Sequence, residues 1–141
     1  MSMARPEYTL PIPIADAESE PFYRGAKDRK LMLVRCTGCG TWRMPGRGRC
    51  VDCWSEDWQW AEASGQGKLY SFGVMHQLYH PAFADALPYN FAVVELDEGP
   101  RIISNIIGCA NDALRVDMPL IASYDDVSEE TTLVRFKPVD E

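Results

Sequence analysis

Cys36-Thr37-Gly38-Cys39-Gly40 and Cys50-Val51-Asp52-Cys53 decide how this 141-residue chain folds. Two residues separate the cysteines within each pair, and ten separate the pairs. C-x-x-C spacing lets one tight turn present two sulfurs to one ion, and two such turns facing each other supply four thiolates to a tetrahedral metal. Gly40 suits the first turn, because the residue just after its second sulfur must tolerate a positive φ. Residues 34–62 therefore read as a rubredoxin-like zinc ribbon with Cys36, Cys39, Cys50 and Cys53 as its ligands.

Other uses of the same cysteines fit less well. The first fourteen residues hold no apolar run of secretory length, so a cytoplasmic chain is expected, and disulfides are rare there. A redox C-x-x-C would call for one motif in a βαβ setting, whereas two motifs face each other here. Iron can use the same four sulfurs, so structural zinc is the first choice and iron the alternative. Four protein thiolates leave no open position for water or substrate, which argues against a catalytic metal. The ion is expected to fold the ribbon and to perform no reaction.

The totals narrow the classes. The formal charge is −7, and four thiolates with one divalent ion bring it to about −9. An acidic chain is a poor partner for a phosphate backbone, so nucleic acid is disfavoured. No stretch reaches the length of a membrane span, and no membrane association is expected. A ribbon of roughly 30 residues cannot bury a core alone, so metal binding should supply much of its folding free energy.

In order along the chain, residues 1–33 read as an extended arm and a short helix, 34–62 as the ribbon, and 63–141 as a separate β unit. Pro6, Pro11 and Pro13 keep the arm extended. Its Tyr8, Leu10, Ile12 and Ile14 suit packing on the chain itself and docking on a partner about equally. Ser19 is a candidate N-cap with Pro21 in the first turn, and the helix should end near Asp28-Arg29-Lys30. Trp42, Trp54, Trp58 and Trp60 are expected to cover the ribbon's small core. Cys109 is expected as a buried small hydrophobe.

After Ser64-Gly65-Gln66-Gly67 the pattern shifts to short strands at 68–78, 91–96, 101–107, 120–124 and 132–136. Asp97-Glu98-Gly99-Pro100 marks a tight hairpin between the second and third. Five strands with no room for crossover helices point to a small closed barrel, and an OB-fold is the natural candidate. The fold class is thus mainly β. A long aromatic loop, 76–89, joins the first two strands and holds both histidines. No activated nucleophile or paired carboxylates accompany them, so recognition is the better reading of the loop than acid–base work.

The order of motifs resembles a known family. It runs through Phe22-Tyr23-Arg24-Gly25, the four-cysteine ribbon, Ser64-Gly65-Gln66-Gly67-Lys68-Leu69-Tyr70-Ser71-Phe72 and His80-Pro81-Ala82-Phe83. It continues through Pro88-Tyr89, Val94-Glu95-Leu96-Asp97-Glu98-Gly99, Met118-Pro119 and Phe136-Lys137-Pro138. This is similar to the zinc-ribbon plus OB-fold family, formerly a domain of unknown function, over residues 19–139. Members accompany thiolase-like proteins, lipid-transfer-type aldolases and MaoC-like hydratases. Two departures stand out: Asp28-Arg29-Lys30 where the family usually carries glycine, and Ser104 where glycine is common.

The resemblance implies a non-catalytic accessory subunit of acyl-CoA metabolism. It would bind a thiolase-like aldolase or acyltransferase and help hold that enzyme or its CoA thioester, with a MaoC-like enoyl-CoA hydratase as the alternative partner. A single-strand nucleic-acid module is the further alternative, since OB-folds commonly serve that role. Tyr79, His80, Phe83 and Tyr89 are the candidates for partner contact, chosen on aromatic content. Arg43, Arg47 and Arg49 are the candidates for CoA phosphates, chosen on charge.

Overall fold

The computed structural model describes residues 8–46 and 48–139. Its first regular element, α1 (Glu20–Lys27), starts where a carboxylate organises the chain. Asp16 accepts the N–H groups of Glu18 (3.1 Å) and Ser19 (2.9 Å), and its carbonyl receives Glu20 N–H at 2.8 Å. Ser19 occupies the N-cap position, but its hydroxyl is used on Asp16 (2.9 Å) and caps nothing. That corrects the expected capping role: the hydroxyl oxygen that would accept a first-turn N–H instead accepts the N–H of Asp16 at 3.0 Å.

The end of α1 explains the first departure from the family pattern. Lys30 N–H returns to Gly25 O (2.9 Å) and Arg29 N–H to Ala26 O (3.0 Å), a Schellman turn. Arg29 takes the left-handed position at φ 62, where glycine is usual. Its guanidinium offsets the strain by a two-pronged ion pair with Asp126, at 2.9 and 2.6 Å.

Strands β1 (Leu31–Cys36), β2 (Trp42–Arg43) and β3 (Trp58–Ala63) form an antiparallel sheet in the order β2-β1-β3. The barrel strands are β4 (Gln66–Met75), β5 (Tyr89–Leu96), β6 (Arg101–Ser104), β7 (Pro119–Asp126) and β8 (Thr132–Pro138). Their order is β6-β5-β4-β7-β8, all antiparallel. β4 is bulged at Tyr70; its residues 66–68 pair with β7, while 67–69 and 71–75 pair with β5. Gly67 allows this crossing, since a Cβ there would stand 2.4 Å from the Glu95 carbonyl oxygen.

The predicted strand 101–107 is split. Residues 101–104 pair with β5, and the chain then leaves that ladder to close the barrel against β8 in parallel, Ile106 opposite Phe136. Phe136 N–H reaches Asn105 O (3.1 Å) and Ile107 N–H reaches Phe136 O (2.8 Å). Buried Asn90 holds the seam, donating to Ile106 O (2.8 Å) and accepting its N–H (2.7 Å). Ser104 adds a bond to Val134 O at 2.8 Å, so the second departure from glycine contributes a closing contact. The hairpin at 97–100 is present, with Leu96 N–H on Pro100 O at 2.9 Å.

Leu31, Leu33 and Ala63 of the ribbon sheet lie in the same buried cluster as Leu69, Val94, Ile102, Leu120 and Phe136 of the barrel. The ribbon's inner face is thus covered by the barrel, as a segment too short for its own core requires. Cys109 is half-buried at the edge of this cluster, rather than fully buried as expected. Among the described residues, no helix is long and apolar enough to cross a membrane.

Candidate metal centre and its surroundings

The ribbon's two knuckles are built alike. Gly40 N–H returns to Cys36 O, and Trp54 N–H to Cys50 O, both at 2.9 Å. Cys36 N–H meets Thr41 O (2.9 Å) and Cys50 N–H meets Ser55 O (3.0 Å). Each turn also aims a backbone N–H at its first sulfur: Gly38 at Cys36 Sγ (3.3 Å) and Asp52 at Cys50 Sγ (3.4 Å). Gly40 has φ 82, as the spacing predicts. In the second knuckle the corresponding residue is Trp54, a bulky side chain held at φ 67.

The four sulfurs all lie within 4.8 Å of one another. Cys36 and Cys53 are 3.6 Å apart, and Cys39 and Cys50 3.5 Å. A tetrahedral ion with metal–sulfur bonds of about 2.3 Å needs edges of about 3.8 Å, so the cluster fits such an ion closely. Cys36 and Cys50 are buried while Cys39 and Cys53 are exposed, which turns one ligand of each knuckle outward.

Ionisation of the bare cluster is uneven. The Cys39 backbone N–H, with that of Gly38, holds Cys36 below the usual thiol range, and the Thr41 hydroxyl and N–H do so for Cys39. The Ser55 N–H favours the Cys53 thiolate, but the sulfurs of Cys36, Cys39 and Cys50 outweigh it and push Cys53 up to about 12. Four like charges in one shell need a cation between them. The site's chemistry is that of holding an ion, with every coordination position filled by sulfur.

The arginines and tryptophans are less convergent than the sequence suggests. Arg43 sits 5.9 Å from the Trp58 ring centroid and donates to Gly48 O at 3.4 Å. It lines a cleft with Trp42, Met44, Glu98 and Arg101, between β2 and the β5–β6 turn. Arg49 pairs with Glu56 (3.5 Å), donates to Trp54 O (3.2 Å), and lines a different cleft of about 500 Å³ with Trp58 and Trp60. Arg47 lies outside the described residues. Of the tryptophans, Trp42 packs on the core, whereas Trp54 is 71% exposed and Trp58 is 38% exposed. The expectation that all four cover the ribbon core is therefore corrected: Leu31, Leu33 and Ala63 face the barrel, while Trp58 meets Trp60 edge-on with ring centroids 5.8 Å apart.

In the long loop, a 3-10 turn (Pro81–Ala86) follows His80, whose Nδ1 accepts Ala82 N–H at 3.1 Å. Phe83 stacks on Tyr89 with ring centroids 5.3 Å apart, while Tyr79 is 73% exposed. Among the four loop candidates, the structure thus uses His80, Phe83 and Tyr89 to shape the loop and leaves Tyr79 projecting. The arm is divided: Tyr8, Thr9 and Leu10 line a groove with Ala82, Asn105 and Arg135, whereas Ile14 is 96% exposed.

Two features escaped the sequence reading. Trp54 in the left-handed region was detectable by aligning the knuckles, which sets it opposite Gly40. The second is a bond from Thr41 Oγ1 to Asp52 Oδ2 at 2.7 Å, joining one knuckle to the other; no local pattern marks it.

A four-sulfur ribbon sharing a core with an OB-fold barrel defines the class of ribbon-plus-barrel folds. Residues 24–59 match the family described as "ChsH2, rubredoxin-like zinc ribbon domain", and residues 60–125 match "ChsH2, C-terminal OB-fold domain". A Methanocaldococcus jannaschii protein, "DUF35 domain-containing scaffold protein", is 31% identical over 84% of this chain and 89% of its own length. The chain belongs to this DUF35, ChsH2-type family.

A Thermomonospora curvata protein, "Probable enoyl-CoA hydratase alpha subunit", is 37% identical over 95% of this chain. The chain spans only 41% of that relative's length. Among solved structures, a chain of "Ltp2-ChsH2(DUF35) aldolase" is similar at 38% identity and a TM-score of 0.78, covering 90% of this chain and 98% of the other. A Sulfolobus solfataricus DUF35 structure shares the fold at 16% identity and a TM-score of 0.59.

Proposed function

We propose that this protein is a non-catalytic accessory subunit that binds an acyl-CoA enzyme, with a thiolase-like aldolase as the first-choice partner. The observation that carries the reading is the likeness to the ChsH2(DUF35) chain of an aldolase across nearly the whole of both chains. The chemistry agrees with it, since a sulfur-saturated ion has no position free for substrate. Zinc is the ion proposed, with the closed tetrahedral shell of Cys36, Cys39, Cys50 and Cys53 supporting it.

Tyr79, backed by His80, Phe83 and Tyr89, is the proposed partner contact, and Arg43, Arg47 and Arg49 remain the proposed groups for CoA phosphates. A MaoC-like hydratase is the second reading, favoured by the 37% identity to a relative named as a hydratase alpha subunit.

Co-expression with a thiolase-like aldolase and with a MaoC-like hydratase, followed by size-exclusion chromatography, tests the proposal. A stoichiometric complex with the aldolase, and no thioester turnover by this chain alone, is expected. A complex with the hydratase only would move the reading to the second partner, and turnover by the isolated chain would overturn it.

A further inference from the structure

Each knuckle is closed by its own backbone bonds, which say nothing about how the two are held against each other. Sulfurs meet across the gap through the ion they share. Among the described residues, the Thr41–Asp52 bond at 2.7 Å is the one side-chain hydrogen bond that runs from one knuckle (36–41) to the other (50–55) without involving sulfur. It stands beside one of the two outward-facing ligands: Thr41 Oγ1 is also 3.2 Å from Cys39 Sγ. The hydroxyl oxygen is thus pinned from one side by a carboxylate on the second knuckle and abuts a metal-ligating sulfur of the first.

We propose that Thr41 and Asp52 are positioning residues that form a bridge over the exposed side of the metal centre and set how long the ribbon retains its ion. The inference rests on the reading of the four sulfurs as a metal site. A competing chelator removes a metal by capturing it as ligands detach, and exposed ligands are reached before buried ones. Cys36 and Cys50 are buried, whereas Cys53 and Cys39 are exposed, and the bridge flanks Cys39. Thr41 is the side chain that limits its swing. Partners of this kind orient ligands, and losing one typically weakens metal retention on the order of tenfold to a hundredfold. The bridge reaches beyond orienting one sulfur, because Asp52 belongs to the other knuckle and carries its own N–H bond to Cys50 Sγ at 3.4 Å. Pulling on one knuckle therefore pulls on the other.

The experiment uses the full chain, purified and loaded with zinc. Metal content is measured first, then the rate of zinc transfer to an excess of a chromogenic chelator, for wild type, Thr41→Val, Thr41→Ser, Asp52→Ala and the Thr41→Val/Asp52→Ala double variant. Thr41→Val and Asp52→Ala should each release zinc roughly tenfold faster. Thr41→Ser, which keeps the hydroxyl, should stay near the wild-type rate, and the double variant should be no faster than the faster single one. Circular dichroism of the loaded variants should match wild type.

Asp52 has an exposed side chain, so its variant tests the bridge even if Thr41→Val folds poorly. Wild-type release rates in Asp52→Ala, or single effects that multiply in the double variant, would overturn the bridge while leaving the metal site standing. A wild-type chain that holds no zinc would overturn both.

Discussion

Arg29 offers a test in which backbone strain and an ion pair can be separated. At φ 62 a residue with a Cβ is strained by about 1–2 kcal/mol, and glycine is not. Glycine in turn costs about 0.4–1 kcal/mol through the freedom it adds to the unfolded chain. Opposing the strain is the paired contact with Asp126, at 2.9 and 2.6 Å. Asp126 is well shielded but Arg29 is about half exposed, so the charge-assisted bonds are discounted for solvent screening to about 1–1.5 kcal/mol in total. Arg29→Ala keeps the strain and loses the pair, and should destabilise by about 1–1.5 kcal/mol. Arg29→Gly loses the pair and relieves the strain, and should fall within about 0.5 kcal/mol of wild type.

Urea denaturation of the metal-loaded protein at low and at 1 M salt reads both terms. In 1 M salt, where the Debye length shrinks to about 3 Å, the deficit of Arg29→Ala against wild type should narrow. The gap between the alanine and glycine variants is a backbone effect and should persist. Equal losses for alanine and glycine would refute the strain argument. An unperturbed alanine variant would refute the contribution of the pair.

Gly67→Ala should disrupt the barrel by about 3 kcal/mol or more, because the new methyl meets a β5 carbonyl at 2.4 Å and backbone cannot step aside. Gly73→Ala meets only the half-exposed Phe91 ring, which can swing away, so the loss should be about 1 kcal/mol; thermal melts compare the two. Cys39→Ser should yield protein with little bound zinc by elemental analysis and poor solubility, and a well-folded variant would count against a structural ion. Tyr79→Ala should weaken partner binding by about tenfold or more in calorimetry while leaving the melting temperature alone. Phe83→Ala, by removing the stack on Tyr89, should lower both.

What could be read from residue order is what neighbouring residues settle among themselves. Two C-x-x-C motifs read together ask for two facing turns, so the four-cysteine cluster was legible, as were Gly40 and the turn at 97–100. Short segments punctuated by turn residues announced the barrel strands for the same reason. Even the loop's aromatic character was visible as composition, though not which ring would project from it.

Tertiary structure decided everything that depends on which distant surfaces meet. The ribbon's apolar face is roofed by the barrel, while Trp54 stays exposed on the second knuckle. Asn90 closes the barrel by catching Ile106 across the sheet, and Arg29 tolerates a left-handed backbone because Asp126 arrives from β7. Thr41 finds Asp52 only once the knuckles face each other. Covalent spacing constrains a turn directly, whereas these contacts are chosen by the packing of the whole chain, where burial and pairing at remote positions outweigh any local preference.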